Sequence, residues 1–298
     1  MIGPAKTGLA IESSISVILF LGLGAADPHV TSIQARQHPF VRRCRALARG
    51  YDPGIGEVLL DGVHLVREAL AAGLGGLTVA VRADARKQPD VSPLLDQLAA
   101  AGAVILDASA EAIVAASPVR TPSGIVAVAK FKLKPLGEVF RRTPSLVVAA
   151  IDVQDPGNVG AIVRSAEAAG ATGVVVAGQS ADPLGWKAIR GSMGSVFRMP
   201  VAAAGTLEAL LDEARARGLL IVATTPSGGR ALFDMDLTRP TLVLVGGEGG
   251  GLAPIVVESA GARMRIPMEP PVESLNVAVA AGVILFEARR QRLAARRL

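Results

Sequence analysis

SLVVAAIDVQDPGNVGAIVRSAEAAGATGVVV, residues 145–176, holds a complete strand, turn, helix and second strand. Residues 145–151 form a continuous apolar run, the composition of a strand buried on both faces of a parallel sheet. Pro156 and Gly157 make a turn, Asn158 is expected to cap the next helix by accepting a backbone N–H, and the helix runs through Arg164 to Ala169. Working outward, 173–177, 219–223, 241–245 and 264–266 are comparable apolar runs, separated by helix-like stretches such as 206–217. Strand alternating with helix predicts a parallel sheet covered on both faces. Ligands of such sheets bind beyond the carboxyl ends of the strands, so the loops there carry the chemistry.

Three of those loops are unusual. In the first, 152–164, Arg164 is the sole cation of its helix. It reads either as a surface arginine paired with Asp155 or Glu167, or as a group whose fork of donors holds a phosphodiester. The second, LVGGEGGGL at 244–252, sets five glycines around Glu248 and so permits close backbone approach and positive φ. It lacks the Gly-Lys-Ser/Thr ending of a phosphate-cradling P-loop. Glu248 there binds a cation or hydroxyl, or satisfies loop N–H groups. The third, 265–281, is stiffened by proline, and Ser274 or Asn276 starts a long helix that continues through Glu287. Ile266, Met268 and Leu275 offer an apolar collar beside these two neutral hydrogen-bonding groups.

Upstream, 38–49 reads as a basic helix, 57–61 as a strand, 62–72 as a helix and 77–81 as a strand. Next, 92–101 is helical, 103–106 extended, 111–116 helical and 124–130 extended. KFKLKPLG at 130–137 interrupts regular structure. The expected organisation is a small α/β domain at 30–130, a linker at 131–144 and a larger α/β domain at 145–298. Residues 1–29 read as an extension, with the ordered protein beginning near Val30. Their apolar run at 15–24 is shorter than the ~20 residues that cross a bilayer, and a secretory signal is poorly supported. Gly22, Gly24 and Asp27 imitate a dinucleotide fingerprint whose third glycine is missing.

The 298 residues carry 31 basic and 26 acidic side chains, a net charge of +5. Five arginines fall between Arg36 and Arg49, five bases between Lys130 and Arg142, and five arginines between Arg289 and Arg297. Each cluster alone is a solvated face; together they point to a phosphate-binding surface. With 7 Phe, 1 Trp and 1 Tyr, recognition that stacks several bases on a sheet is disfavoured. One cysteine, Cys44, and 3 histidines exclude a disulfide framework and argue against a metal site. No G-x-S-x-G elbow supports a serine hydrolase.

DPGNVGAIVRSAEAAGATGVVV, LVGGEGGGL and RIPMEPPVESLNVAVAAGVILFEARRQ together resemble, in order and spacing, the three signature motifs of the SpoU (TrmH) family of RNA ribose 2′-O-methyltransferases. VTSIQARQHPFVRRCRAL and EVLLDGVHLVREAL resemble the substrate-binding domain that precedes the catalytic one in many members. The resemblance implies an α/β fold with a trefoil-knotted, parallel-sheet SPOUT methyltransferase domain after a smaller α/β substrate-binding domain. It implies S-adenosylmethionine as cofactor, held by Thr224, Gly246, Gly247, Ile266, Met268, Leu275 and Asn276. It implies catalytic roles for Arg164, Asn158, Glu248, Ser274 and Asn276, with no metal. It implies an RNA substrate, ribosomal RNA ahead of transfer RNA, a homodimer through the knotted domain, no membrane and a cytoplasmic location. A non-catalytic RNA-binding protein that keeps the cofactor pocket is the competing class. Two local departures stand out: Ala278 replaces the second serine of the family's SLNVSVA, and Ser195 stands where alanine is usual.

Overall fold

The computed structural model describes residues 32–296, so the expectations for 1–29 lie outside the described residues. The first sheet is built from β1 (Ser32–Ile33), β2 (Glu57–Asp61), β3 (Gly75–Arg82), β4 (Val104–Ala108) and β5 (Ile125–Lys130), in the order β1-β4-β3-β5-β2. β4 runs parallel to β1 and β3, while β5 is antiparallel to both β3 and β2. Helices α1 (Pro39–Arg49), α2 (Val63–Ala71), α3 (Ala83–Arg86), α4 (Ser92–Ala100) and α5 (Ala110–Ala116) accompany it. α1 starts with Pro39, whose missing N–H costs nothing in a first turn, and His38 Nδ1 accepts the Phe40 N–H at 3.2 Å. Its buried side chains, Phe40, Val41, Cys44 and Leu47, repeat at helical spacing and form one face against the sheet.

The second sheet begins after the short α6 (Leu136–Val139). Its elements are β6 (Leu146–Ile151), α7 (Pro156–Ala169), β7 (Gly173–Ala177), α8 (Trp186–Ser192), α9 (Ser195–Arg198), β8 (Val201–Ala203) and α10 (Leu207–Ala216). There follow β9 (Leu220–Thr224), β10 (Arg230–Ala231), β11 (Thr241–Gly246), α11 (Pro254–Glu258), β12 (Ala262–Arg265) and α12 (Val277–Ala295). All strand pairs are parallel, in the order β10-β12-β9-β11-β6-β7-β8. Every residue of β6 is buried, as its unbroken apolar composition requires. The chain builds outward from β6 through β7 to β8, then crosses to lay down β9 and inserts β11 between β9 and β6. That reversal makes a switch point at the carboxyl ends of β6, β11 and β9. The strand order and the meeting of three loops there agree with the knotted topology that the resemblance implies.

Segment 131–144 is packed against both sheets. Phe131 N donates to Gly56 O at 2.9 Å, Lys134 N donates to Val201 O at 2.8 Å, and the Phe131 ring meets Phe197 edge-on at 5.2 Å. The sheets are also tied by Trp186 Nε1, which donates to Ala48 O at 3.1 Å. Arg198 completes the junction: it pairs with Glu68 on α2 and, at 2.7 Å, with Glu167 on α7.

The C-terminal arginine cluster is partly structural, which corrects its expected role as phosphate surface. Arg290 pairs with the buried Glu287 at 2.8 Å. Arg292 donates to the carbonyls of Pro144, Ser145, Leu237 and Arg239 at 2.8–3.0 Å. One guanidinium thus clasps the chain just before β6 and β11. Arg292→Ala leaves those carbonyls without their charged donor, and a stability loss of about 2–3 kcal/mol is expected from urea unfolding midpoints.

Candidate active site

Asn158 does not cap α7. Its N-cap is Asp155, whose carboxylate accepts the Asn158 N–H at 2.9 Å. Asn158, expected to be the cap, lies within the first turn, and its side chain is therefore free for other work. Its Nδ2 donates to Glu248 Oε1 at 2.5 Å, and its Oδ1 accepts from Asn276 Nδ2 at 3.0 Å. Asn276 is the N-cap of α12, accepting from the Ala278 and Val279 N–H groups at 2.9 and 3.3 Å. Of the two caps expected for that helix, Asn276 serves and Ser274 does not; Ser274 instead lines the cavity described below.

This chain has one self-consistent direction. Helix N–H groups fix the Asn276 oxygen, which turns its amide nitrogen to Asn158, which in turn directs its own nitrogen to a carboxylate. Glu248 Oε2 also accepts from Gln154 N at 3.3 Å, so both carboxylate oxygens face donors. Its partial burial works against the charge, but the bond from Asn158 and the surrounding backbone N–H groups outweigh this and hold the carboxyl below the ordinary glutamate range. A depressed native pKa means that the network is intact above the ordinary value and is lost only as pH falls through the depressed one. Ligand affinity of the cavity should therefore stay level through mildly acidic pH and fall below the ordinary glutamate range. Glu248→Gln should weaken it at every pH and abolish that acid limb, as titration calorimetry across pH would show.

Behind the network lies a cavity of about 530 Å³. Thr224, Gly246, Gly247, Ile266, Met268, Leu275 and Asn276 all line it, as does Glu248. So do Thr225, Pro226, Val245, Leu252, Met264 and Ile284, which sequence reading passed over. A signal existed for some of these. Val277, Ala280 and Ile284 form an i, i+3, i+7 stripe on α12, and Thr225 directly follows β9 at the carboxyl end. The glycines bring backbone against backbone: a Cβ on Gly247 would lie 1.9 Å from Asp152 O, and one on Gly246 would lie 2.2 Å from Gly251 C.

Arg164 is not gathered with these groups. Six residues on from Asn158, it lies about 120° around the helix. It is exposed and forms no ion pair among the described residues, because Glu167 is taken by Arg198 and Asp155 by the helix cap. Beside it Ala161 and Ser165, with Asn158, Asn276 and the α12 residues Val279, Val283 and Phe286, line an open groove that adjoins the network. Val279, Val283 and Phe286 are 53%, 37% and 51% exposed, whereas Leu285 is fully buried. The apolar side chains of α12 therefore divide: Leu285 belongs to the core, and the other three form an apolar stripe in solvent. At the two departures, Ala278 is buried with its N–H capped by Asn276, and Ser195 is buried with its hydroxyl 3.5 Å from Arg198 Nη2.

A parallel sheet with a glycine-walled cavity at its switch point, closed by a directed amide and carboxylate chain, defines an α/β enzyme domain that takes a nucleotide-sized ligand. Residues 145–286 match the family model described as the SpoU rRNA Methylase family. An uncharacterised tRNA/rRNA methyltransferase of Synechocystis is 36% identical over 272 residues, covering 89% of this chain and 96% of that protein. The chain belongs to the SpoU RNA methylase family. A 23S rRNA (uridine(2479)-2′-O)-methyltransferase of Streptomyces viridochromogenes is 38% identical over 180 residues, 59% of this chain and 63% of that one. The crystal structure of an AdoMet-bound rRNA methyltransferase from Sinorhizobium meliloti superimposes with a TM-score of 0.77 at 32% identity, over 88% of this chain and 98% of that one.

Proposed function

We propose that this enzyme transfers a methyl group from S-adenosylmethionine to a ribose 2′-hydroxyl of structured RNA. The hydrogen-bonded chain Asn276, Asn158, Glu248 beside the cavity supports the reading: it holds neutral and acidic groups in fixed orientation next to a space that suits the cofactor. The cavity fits that cofactor in size, within the ~300–1,000 Å³ usual for small-molecule sites, and in chemistry. Ile266, Met268 and Leu275 offer apolar walls, and the Gly246–Gly247 backbone and Asn276 offer polar groups. When bound, S-adenosylmethionine supplies an activated methyl group on a sulfonium centre.

The chain's own residues then align the acceptor. Asn158, Glu248, Ser274 and Asn276 position the ribose, and Arg164 holds the adjacent phosphate and lowers the cost of developing charge on the 2′-oxygen. Arg164 stays protonated and so is not the proton acceptor. No metal is required. Arg164 stands outside its own network, next in the chain to Ser165 of the apolar groove, and it serves the site of a second subunit. Val279, Val283 and Phe286 are the dimer contact. The 32–130 region, beyond the methylase core, engages the RNA. Ribosomal RNA is the preferred substrate and transfer RNA the second. The enzyme works in the cytoplasm, where RNA and cofactor meet; no described helix is long and apolar enough to cross a membrane.

Incubation with unmodified ribosomal RNA and labelled S-adenosylmethionine, then alkaline hydrolysis, tests the reading. Label should survive in alkali-resistant dinucleotides; label confined to mononucleotides overturns it. A protein that binds RNA and cofactor but transfers nothing is the non-catalytic class.

A further inference from the structure

We propose that Arg42, Arg45 and Arg49 of α1, with Arg36 just before it, form a phosphate-binding rail that seats the RNA on the N-terminal sheet at a set position from the methyl-transfer site. The proposal rests on the RNA methyltransferase reading and assigns part of its substrate contact to particular residues.

The rail follows from how α1 spends its charges. Its buried face is Phe40, Val41, Cys44 and Leu47. Arg43, which turns inward, is paired with the buried Glu57. Arg42, Arg45 and Arg49 are i, i+3 and i+7 on the opposite face, about 10 Å from end to end along the axis. All three and Arg36 are exposed, and none forms an ion pair among the described residues. The nearby Asp52 is turned to the Gly54 N–H at 2.8 Å, and Asp182 accepts from Leu184 N at 2.7 Å. α1 holds no acid in its first turn. Like charges three and four residues apart oppose helix formation, and Arg42 sits near the positive end of the helix dipole. His38 feels this: burial first, and then the Arg42 charge, push its pKa down. Only Arg49, in the last turn, has a favourable dipole position. The fold gains nothing from the other charges, so their use lies outside the molecule.

The chemistry of the face selects the partner. No aromatic or large apolar side chain is exposed among these arginines, so the face suits phosphates rather than unstacked bases or a lipid interior. Guanidinium forks match phosphodiester oxygens in pairs. The rail is also joined rigidly to the site. Trp186 Nε1 holds Ala48 O, in the last turn of α1, and exposed Lys187 lies 5.6 Å over the Trp186 ring. α8, which starts at Trp186, packs directly on α7: a Cβ on Gly160 would lie 2.3 Å from Ala188 O, and one on Gly191 would lie 3.2 Å from Gly157 O. Gly157 precedes Asn158. One side-chain hydrogen bond and the close backbone packing of α8 on α7 thus connect rail and network.

The test uses the full chain, a 23S rRNA transcript and the triple variant Arg42→Gln, Arg45→Gln, Arg49→Gln, with thermal unfolding to verify that it folds. Glutamine keeps helix propensity and shape while removing charge. The slope of log affinity against log salt should shrink by about two to three. KM for RNA should rise about tenfold or more, while kcat at saturating RNA and cofactor affinity hold. An unchanged slope and KM overturn the rail. So does an equal loss in Arg215→Gln, Arg217→Gln, whose guanidinia are already paired with Asp212 and Glu213. Loss of binding to phosphatidylserine vesicles with the RNA slope unchanged overturns it in favour of a lipid partner. Wild-type protein that binds RNA with this slope but transfers no methyl group overturns the methyltransferase reading and leaves the rail standing.

Discussion

Arg164→Ala is expected to lower kcat for methyl transfer by about 10²–10³-fold, the cost of removing the charged group proposed to stabilise the developing oxyanion. Cofactor affinity should change less than about twofold, because Arg164 lines neither wall of the cavity. Its exposure and its lack of an ion partner among the described residues mean that no fold contact is lost, so unfolding midpoints should hold. Single-turnover kinetics with saturating cofactor make the measurement; wild-type rates would remove Arg164 from the reaction. Its proposed service to a second subunit adds a sharper outcome. Mixed with a variant that has a broken cofactor cavity but an intact Arg164, the inactive alanine variant should recover activity, to about a quarter of wild type if subunits exchange freely. No recovery would mean that Arg164 serves its own subunit.

Gly247→Ala is the natural partner in that mixture and has the second large effect. The added Cβ would lie 1.9 Å from Asp152 O and 2.7 Å from Asp152 C, both backbone atoms. Asp152 cannot retreat: it sits at φ +57°, its carboxylate accepts from Gln179 N at 2.7 Å, and its N–H donates to Ala177 O at 3.2 Å. The glycine loop must therefore move, and the cavity wall with it. Cofactor affinity should fall by about 100-fold or more, and stability by about 2–4 kcal/mol, in the range of overpacking and backbone strain. Calorimetric binding together with urea midpoints measures both. Gly250→Ala is the comparison, since a Cβ there meets nothing within 4 Å and should cost the fold little. Equal losses at both positions would show that loop flexibility, rather than the close approach to Asp152, is what the glycines supply.

The strands were the most legible part of the fold, for a reason visible in β6. A strand buried on both faces cannot carry polar side chains, so Leu146–Ile151 announces itself in composition alone. The short helices α8 and α11 were not anticipated. Each has fewer than two full heptads over which a period can show, and Gly191 lies within the last turn of α8. At the candidate site, the motif loops marked every residue of the hydrogen-bonded chain, yet the roles shifted. Asp155 and Asn158 are both acceptable caps three residues apart, and only the packing of α7 chooses between them. Leu285 and Phe286 are adjacent apolar residues whose opposite fates, core and solvent, depend on which side of α12 packs against α7 and the sheet.

Local chemistry was thus determined by the sequence itself: apolar runs that must be strands, glycines where backbones must touch, and loops of neutral and acidic groups at strand ends. These follow from short-range sterics and solvation, which act over a few residues. What only the tertiary structure decided was which groups share a neighbourhood. Asn158, Glu248 and Asn276 lie 90 and 118 residues apart and meet because β11 inserts beside β6. The arginines of α1 and α12 looked alike in sequence, but Arg292 of α12 clasps carbonyls and Arg42, Arg45 and Arg49 of α1 face solvent. A charge is structural or free according to what the rest of the chain brings to it, and that is settled only when distant segments pack.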